Sequence, residues 1–436
     1  MKSSIGSPKY GGMFVSDRPG LPPGFLPCVL PGEVVESSGT SEAVTILEAS
    51  PHRVVPQCVH FESCGGCSYQ HADYLTQLEL KSQILGDLFV EAGLQNLPSI
   101  STHHASEWGY RNRIRLRVES VAGELKVGYS RAGSNTFLPI RMCPIASPLL
   151  WRAAEAFTEL ASIDPLCRRW FGSISEAELF CSPDQSRLQL IFFLRDSALV
   201  RAETAGFPGF CERLRAAIPE LTGAGATLDP ELNRRMRRNT VHGRWAGASW
   251  GTDGLAYETA GHVFWISRGA FFQVNRLLVD RLVTLVAEGS SGALAWDLFA
   301  GVGLFSQALA QTFSRVVAVE GGAIAAADLV QTGRSSPALE SVHSSALDFL
   351  RVQQHQRERP ELVVLDPPRA GLGAEAAAIL ARIAAPRLVY VSCDPRTLAR
   401  DLVVLTRETY AIEALHLVDL FPQTFHLETV VHLRKK

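Results

Sequence analysis

Short apolar runs alternate with stretches of helical periodicity in the C-terminal third of the chain. The runs predict strands over 293–298, 315–319, 361–365 and 387–391, with helices between them over 305–312, 323–330, 374–383 and 395–405. This alternation is typical of an α/β fold built on a doubly wound parallel sheet. Two further strands, over 410–417 and 429–433, have no helix between them, so we expect them to pair antiparallel at the sheet edge.

The N-terminal half has a weaker pattern. We expect a loose tail over 1–20, a small β module over 21–57 and a helix over 73–92. Residues 110–118 alternate strictly, which predicts a strand. One face of that strand carries four arginines: Arg111, Arg113, Arg115 and Arg117. This face is either a solvated surface with scattered ion pairs or a row of guanidinium groups that contacts a phosphate backbone.

Length and composition set limits on the class of protein. The 436 residues predict roughly three domains of about 150 residues each, which we place at 1–57, 58–260 and 261–436. Apolar residues make up 46% and charged residues 20%, as in ordinary globular proteins. No apolar run of about 18 residues lacks a charge, so we expect no transmembrane helix and no membrane partner. The polar N-terminus lacks the apolar core of a secretory signal, so we expect a cytoplasmic protein.

Charge is distributed unevenly along the chain. The net charge of −2 excludes a strongly basic coat, but residues 101–255 carry 20 Lys and Arg against 16 Asp and Glu. Arginine suits bidentate phosphate contacts, although a GC-rich genome also favours it. A second basic cluster consists of Arg234, Arg235, Arg237, Arg238 and Arg244.

The carboxyl ends of the predicted parallel strands meet at one edge of the sheet, where ligands bind in such folds. The first strand runs into a loop with Gly301 and Gly303, which allow a ligand to approach the backbone closely. Glu320 ends the second strand, and a carboxylate there suits two ribose hydroxyls. The third glycine that would seat a pyrophosphate is missing, so the pattern favours an adenosyl ligand without phosphates. Tight turns of a generic α/β domain are the alternative.

Two more of these strands end in residues that can carry chemistry. Asp366-Pro367-Pro368-Arg369 either frames a flat ring or simply begins a helix. Cys393 falls at a predicted helix N-terminus, where the helix dipole is expected to lower the thiol pKa while Asp394 opposes it. Glu428 precedes the last strand and serves as a general base if the fold brings it close to Cys393.

Clustered cysteines indicate a metal centre. The chain has nine cysteines, an odd number, and no export signal, which argues against a disulfide framework. Cys58, Cys64 and Cys67 lie within ten residues, and Cys143 is the candidate fourth ligand. Four thiolates fit either zinc or an iron–sulfur cluster. The neighbouring glycines Gly65 and Gly66 favour a bulky 4Fe–4S cluster, with zinc as the alternative.

Taken together, these motifs resemble the iron–sulfur branch of the SAM-dependent RNA uridine-C5 methyltransferases. The resemblance covers roughly residues 44–436. The motifs that carry it are Cys58-x5-Cys64-Gly65-Gly66-Cys67, Tyr110-Arg111-Asn112-Arg113, Phe271-Phe272-Gln273-Val274-Asn275, Asp297-Leu298-Phe299, Asp366-Pro367-Pro368-Arg369, Ser392-Cys393 and Phe421-Pro422-Gln423-Thr424-Phe425-His426-Leu427-Glu428.

The resemblance implies a Rossmann-like class I methyltransferase domain behind a β-rich, RNA-binding central domain that carries the cluster. It implies an N-terminal module similar to a shortened TRAM barrel. It also implies that Cys393 is the nucleophile and Glu428 the base. The implied SAM contacts, beside Gly301 and Gly303, are Gln273, Phe299, Glu320 and Asp366. The implied cluster ligands are Cys58, Cys64, Cys67 and Cys143.

The function expected from this resemblance is methyl transfer from SAM to C5 of a flipped or single-stranded uridine in ribosomal RNA, by a monomeric enzyme. The sequence departs from the family at Leu304, where an asparagine often contacts SAM, and over 331–334. Two alternatives stay open. One is methylation of another RNA target, either a transfer RNA uridine or a cytosine. The other is a non-catalytic iron–sulfur RNA-binding protein.

Overall fold

The computed structural model describes residues 2–18, 22–37, 44–195, 206–228 and 247–436. The arginine cluster at 234–244 lies outside these residues. The described part of the chain has four β-sheets with helices packed around them. Among its helices, none combines the length and apolar character needed to cross a membrane.

The N-terminal segment is a sheet and not a loose tail. Five antiparallel strands have the order β3-β2-β1-β4-β5. They are β1 (Lys2–Lys9), β2 (Met13–Asp17), β3 (Gly24–Pro27), β4 (Val34–Ser37) and β5 (Val44–Glu48). The prediction of a tail was wrong because the inward positions of β1 and β2 include small polar residues, such as Ser3 and Ser16, and so carry a weak hydrophobic signal.

A helix and a strand then join the C-terminal sheet. Helix α1 (Tyr74–Glu91) confirms the predicted helix, and Asp73 caps it by accepting a hydrogen bond from the Thr76 amide at 2.8 Å. Strand β6 (Ile100–His103) pairs with the far edge of the C-terminal sheet. Both elements therefore pack outside the central domain predicted over 58–260.

The central sheet is mixed and has seven strands, in the order β13-β12-β11-β10-β7-β8-β9. Its strands are β7 (Arg113–Val121), β8 (Glu124–Ser130), β9 (Phe137–Pro139), β10 (Ile174–Cys181), β11 (Leu188–Leu194), β12 (Leu221–Leu228) and β13 (Gly247–Gly251). Three helices cover its apolar face: α2 (Pro148–Ile163), α3 (Pro165–Ser173) and α4 (Phe207–Ala217). The alternation of β7 is confirmed, since Ile114, Leu116 and Val118 are buried.

The C-terminal sheet has eight strands in the order β18-β17-β16-β19-β20-β22-β21-β6. A hairpin of β14 (Gly254–Thr259) and β15 (His262–Ser267) packs against it. The other strands are β16 (Gly292–Leu298), β17 (Phe313–Glu320), β18 (Leu339–His343), β19 (Leu362–Leu365), β20 (Arg387–Ser392), β21 (Tyr410–Val418) and β22 (Glu428–Lys435). The helices are α5 (Val279–Ala287), α6 (Leu304–Leu309), α7 (Ala323–Gly333), α8 (Ala346–Gln353), α9 (Ala374–Ile383) and α10 (Pro395–Thr406).

This sheet confirms the predicted α/β architecture, with two differences. Strands β16 to β20 are parallel, and β22 pairs antiparallel with both β20 and β21, as expected. The prediction missed β18, a strand of five residues in which only Leu339 is buried. Strand β21, predicted to lie at the sheet edge, is followed by one more strand, β6, which pairs with it in parallel.

Candidate active site

A cavity of about 570 Å³ opens at the carboxyl ends of the parallel strands. Both proposed catalytic residues, Cys393 and Glu428, line it. The proposed cofactor contacts in its wall are Gln273, Phe299, Gly301, Glu320 and Asp366. The structure thus brings together residues from widely separated parts of the sequence. Leu304, at the position where the family often has asparagine, contributes an apolar side chain to the same wall.

The loop after β16 is shaped to hold Glu320. Phe299 and Gly301 have positive φ angles of 64° and 58°. This turn directs the Gly301 amide toward Glu320 Oε2 at 2.8 Å, while the Gly322 amide donates to Oε1 at 2.6 Å. The carboxylate is therefore fixed in orientation at the cavity wall.

Gly303, which was also predicted to contact the cofactor, allows close packing of the same loop. It does not line the cavity, and it precedes α6 with a φ of 94°. A Cβ at this position would lie 2.9 Å from Leu329 Cδ1. The positive φ angle favours glycine here, and the missing side chain lets the loop pack closely against α7. The cofactor contact at Gly303 stays a prediction.

Two carboxyl groups, Asp366 and Glu428, line the cavity, and the buried Asp297 is close enough for its charge to act on Asp366. Burial raises the pKa of Asp297 from 3.8 to about 7, although a hydrogen bond that Ser306 donates to this carboxylate lowers it. Burial and then the charge of Asp297 raise the pKa of Asp366. Burial and then the charge of Asp366 raise the pKa of Glu428 well above its usual value. Gln273 Nε2 donates to Asp366 Oδ2 at 3.4 Å. Without a positive partner these carboxyl groups therefore tend to stay protonated, and a cation bound beside them would favour their ionised forms.

Cys393 lies at the N-terminus of α10, as predicted. The Asp394 carboxylate caps this helix by accepting from the amides of Arg396 and Thr397 at 3.0 and 3.1 Å. The expected lowering of the thiol pKa was wrong: burial, followed by the charges of Glu428 and Asp366, raises the pKa of Cys393 to about 12. These carboxylates lie on other elements, so the local helix pattern did not reveal them.

Two residues that the sequence did not single out complete the wall. Arg369 lies at the mouth and lowers the pKa of Cys393 through its charge and a hydrogen bond to the thiol. His426 lines the cavity beside Phe421, and its pKa is lowered to about 4 by burial and then by Arg369. His426 is therefore neutral at ordinary pH. Both lie within motifs quoted for the family resemblance, which was the only available signal.

The segment that carries His426 is anchored to α1 by buried polar contacts. Lys81 Nζ donates to Asp419 Oδ1 at 2.6 Å and to the Phe421 carbonyl at 2.9 Å, and the side chains of Lys81 and Asp419 are fully buried. Gln77 Oε1 accepts from the Gln423 amide at 3.0 Å. Helix α1 thus fixes the loop that leads to Glu428.

A second cavity, of about 650 Å³, lies next to this loop. The four predicted cluster ligands, Cys58, Cys64, Cys67 and Cys143, all line it. Its wall also includes His426, so one residue borders both cavities. Among the described residues, no group of three or more His, Cys, Asp or Glu side chains is gathered closely enough to hold a single metal ion. Burial is the main cause that raises the pKa of the Cys64, Cys67 and Cys143 thiols.

Comparisons with known proteins agree with this site. The sequence model of the tRNA (uracil-5-)-methyltransferase family matches residues 255–436. The chain is 31% identical to the 23S rRNA (uracil(1939)-C(5))-methyltransferase RlmD of Alkalilimnicola ehrlichii, over 94% of this chain and 92% of the relative. It is 30% identical to the RlmD of Pectobacterium carotovorum, over 93% and 88% of the two chains.

A solved structure shows the same fold over the whole chain. It is that of a Pyrococcus abyssi tRNA (uracil-54, C5)-methyltransferase in complex with S-adenosyl-L-homocysteine. The TM-score is 0.73 at 21% identity, and the alignment covers 99% of this chain and 100% of that chain. The sequence identity to the RlmD proteins, over nearly the full length of both partners, shows that this chain belongs to the family of SAM-dependent RNA uracil-C5 methyltransferases.

Proposed function

We propose that this enzyme methylates C5 of a uridine in ribosomal RNA through a covalent intermediate on Cys393, with Glu428 as the base. The observation that carries the proposal is that Cys393, Glu428 and the proposed cofactor contacts line one cavity. The ribosomal substrate is proposed because the RlmD relatives are named as 23S rRNA methyltransferases.

SAM is proposed to occupy the part of this cavity bounded by the loop after β16. Glu320 would accept hydrogen bonds from the ribose hydroxyls, and Phe299 and Gln273 would hold the adenine and the amino acid portion in place. SAM, when bound there, supplies the methyl group and a positive sulfonium charge. The carboxyl groups of Asp366 and Glu428 fit such a cation. Burial, and then the charge of Asp297 on Asp366 and of Asp366 on Glu428, raises their pKa values, and a bound positive charge would favour the ionised forms.

The reaction needs a covalent step because C5 of uracil is a weak nucleophile. The Cys393 thiolate adds to C6 and pushes electrons to the O4 enolate, which makes C5 nucleophilic. C5 then takes the methyl group, whose bond to the SAM sulfur would break to leave S-adenosylhomocysteine, and Glu428 removes the C5 proton. The resulting electron pair restores the C5–C6 double bond and expels Cys393 by β-elimination. A carboxylate with a raised pKa is a stronger base, so the burial of Glu428 suits this role.

The second cavity is proposed to hold a 4Fe–4S cluster on its four cysteines. Arg111 supports the fit: its Nε is buried, has no hydrogen-bond partner in the described part of the chain, and belongs to a residue that lines the cavity. Such a donor suits the negative charge of a thiolate-ligated cluster. The cluster would brace the central domain against the loop that carries His426, since the Ser68 and Tyr69 amides both donate to the Gln423 carbonyl.

Methylation of RNA from cells that lack the gene tests the substrate assignment. Purified enzyme and SAM with a labelled methyl group are incubated with that RNA, and the product is mapped by nuclease digestion and mass spectrometry. We expect 5-methyluridine at one position of 23S ribosomal RNA. Label confined to transfer RNA, or found on cytosine, would contradict the proposed substrate.

A further inference from the structure

The turn between β1 and β2 reaches the active site from the N-terminal sheet. Gly11 and Gly12 give this turn its shape, with φ angles of 109° and 78°. A Cβ at Gly12 would lie 3.1 Å from Ser68 Cβ and 3.5 Å from Phe425 Cδ1. The turn is therefore packed closely between the segment after Cys67 and the loop that carries His426.

Tyr10 occupies this turn and contacts residues on two sides of the active-site mouth. Its ring meets the Phe425 ring edge-on, with centroids 5.6 Å apart, and the Arg396 guanidinium carbon lies 5.1 Å from its centroid. Arg396 Nη2 also donates to the Tyr10 carbonyl at 3.3 Å. Phe425 directly precedes His426, and Arg396 lies three residues after Cys393. Tyr10 thus connects the nucleophile helix to the loop before the base.

The electrostatic surroundings of Tyr10 place its side chain close to the nucleophile. Burial, and then the charge of Asp394, raise the pKa of Tyr10 to about 12, and Cys393 and Arg369 also act on it. Its phenol therefore stays protonated and does not serve as a base. The ring is only half-buried, so part of it is accessible at the mouth.

Tyr10 and two exposed arginines together form a surface suited to a nucleotide. An aromatic ring stacks on any base, and guanidinium groups bind phosphate. Arg369 lines the cavity, Arg396 contacts Tyr10, and both arginines are exposed. A uridine that enters the cavity must leave its stack, so its neighbour in the strand loses a stacking partner at this mouth.

We propose that Tyr10 is a substrate-positioning residue, which stacks on the RNA base adjacent to the target uridine while Arg396 contacts the connecting phosphate. This inference rests on the proposed function. It assigns to the N-terminal sheet a direct part in presenting the uridine to Cys393.

A cycle of protein and RNA changes tests this inference. The RNA is a short strand that contains the mapped uridine, with an abasic nucleotide on either side in turn. Tyr10→Ala should weaken binding of the intact RNA by about 5- to 150-fold, the range of base–aromatic stacking. At one of the two positions, the abasic nucleotide should weaken RNA binding to the wild-type protein by a similar factor. The same abasic nucleotide should cause no further loss of affinity in Tyr10→Ala. Tyr10→Phe should restore the affinity.

Controls separate stacking from support of the fold. Tyr10→Leu keeps apolar packing against the C-terminal core but has no ring, so it should behave like Tyr10→Ala while it retains the wild-type affinity for SAM. Phe25→Ala removes an exposed aromatic ring from β3 of the same sheet and should bind RNA normally. Wild-type RNA affinity in Tyr10→Leu would overturn the inference. So would a Tyr10→Ala protein that loses as much affinity on introduction of the abasic nucleotide as the wild type does. Methylation of the intact RNA by wild-type protein, measured in parallel, tests the proposed function separately.

Discussion

At Cys393, burial and carboxyl groups from other parts of the sequence outweigh the effect of the helix N-terminus on the thiol pKa. Its position at the start of α10 predicts a lowered thiol pKa, yet burial and the carboxyl groups of Glu428 and Asp366 raise it. Arg369 is the nearby cation that favours the thiolate. The raised pKa keeps the Cys393 side chain as a thiol, and the charge of Arg369 acts in the opposite direction.

Replacement of Arg369 should make Cys393 less reactive. In Arg369→Gln we expect alkylation of Cys393 by iodoacetamide at pH 9 to slow by roughly 3- to 10-fold, because the thiolate is the reactive form and loses a charged hydrogen-bond donor. Mass spectrometry of the Cys393 peptide measures the rate. Arg382→Gln, on the exposed face of α9, is the matched control. An equal rate in both variants would show that Arg369 does not stabilise the thiolate.

Asp297 makes the stability of the protein depend on pH. Its pKa is raised from 3.8 to about 7 in the folded protein, so its stabilising contribution is complete below pH 4 and is lost as pH rises through 7. The loss corresponds to roughly 4 kcal/mol. In Asp297→Asn, urea unfolding of SAM-free protein should show a smaller fall in stability between pH 5 and pH 8 than in wild type. If the stability of Asp297→Asn fell as steeply between pH 5 and pH 8 as that of the wild type, this would contradict the raised pKa of Asp297.

The contacts of strand β7 favour one of the two interpretations of its arginine face, the surface with ion pairs. Arg113 lies 4.1 Å from the Phe180 ring and pairs with Glu178 at 3.5 Å. Arg115 stacks on Phe193 at 4.0 Å and pairs with Glu176 on β10. Arg117 likewise lies against the Phe137 ring and pairs with Glu119. Arg111, before the strand, is partly buried and lines the second cavity. The face is thus a set of ion pairs on aromatic rings, and its guanidinium groups are already engaged.

These pairs predict a small effect of β7 on RNA binding. The double variant Arg113→Gln, Arg115→Gln should leave the slope of log affinity against log salt unchanged and lower stability by about 1 kcal/mol for each pair. Filter binding at several salt concentrations and urea unfolding measure the two effects. A slope reduced by about 0.7 to 0.9 for each arginine would instead indicate phosphate contacts.

At the level of elements, the sequence predicted those helices and strands whose buried positions repeat regularly along the chain. The parallel strands and α1 were found because their buried positions form regular apolar patterns. Strand β6 was missed because its four residues gain stability only by pairing with β21, more than 300 residues later. Strands β1 and β2 were missed because a sheet with small polar inward residues has little hydrophobic contrast.

At the level of the whole molecule, the loop over 419–427 joins three parts of the protein. Helix α1 holds it through Lys81, the segment after Cys67 holds it through the Gln423 carbonyl, and Tyr10 contacts it through Phe425. Tyr110 donates to the Pro422 carbonyl at 3.0 Å. Candidate residues of the active site were predictable from motifs, but these contacts between distant segments were not, because no local pattern encodes them.

From this arrangement we predict that the proposed cluster affects catalysis. Anaerobically purified protein should contain about four irons per chain, and Cys143→Ser should lose iron and reduce methyl transfer while SAM affinity is kept, since the SAM wall lies on other elements. Cys167→Ser, at a buried cysteine away from the second cavity, is the matched control and should keep its iron. One zinc and no iron in the wild-type protein would contradict the cluster.

The central claim is that Cys393 bonds covalently to the target uridine and that Glu428 then removes the C5 proton. Glu428→Gln keeps the nucleophile but cannot accept that proton. With ordinary RNA and SAM it should accumulate a methylated protein–RNA adduct, and turnover should fall by about 10²- to 10⁴-fold. Free turnover in this variant would require another base, and His426 lies nearest in sequence.

The most direct measurement is mass spectrometry of the protein after incubation with SAM and RNA that carries 5-fluorouridine at the target. Fluorine at C5 cannot leave as a proton, so the account predicts a stable, methylated adduct on the peptide that contains Cys393. Cys393→Ala should form no adduct and lose methyl transfer to ordinary RNA. Normal methyl transfer by Cys393→Ala, or a wild-type protein that binds the fluorinated RNA without any adduct on Cys393, would contradict covalent catalysis by this residue.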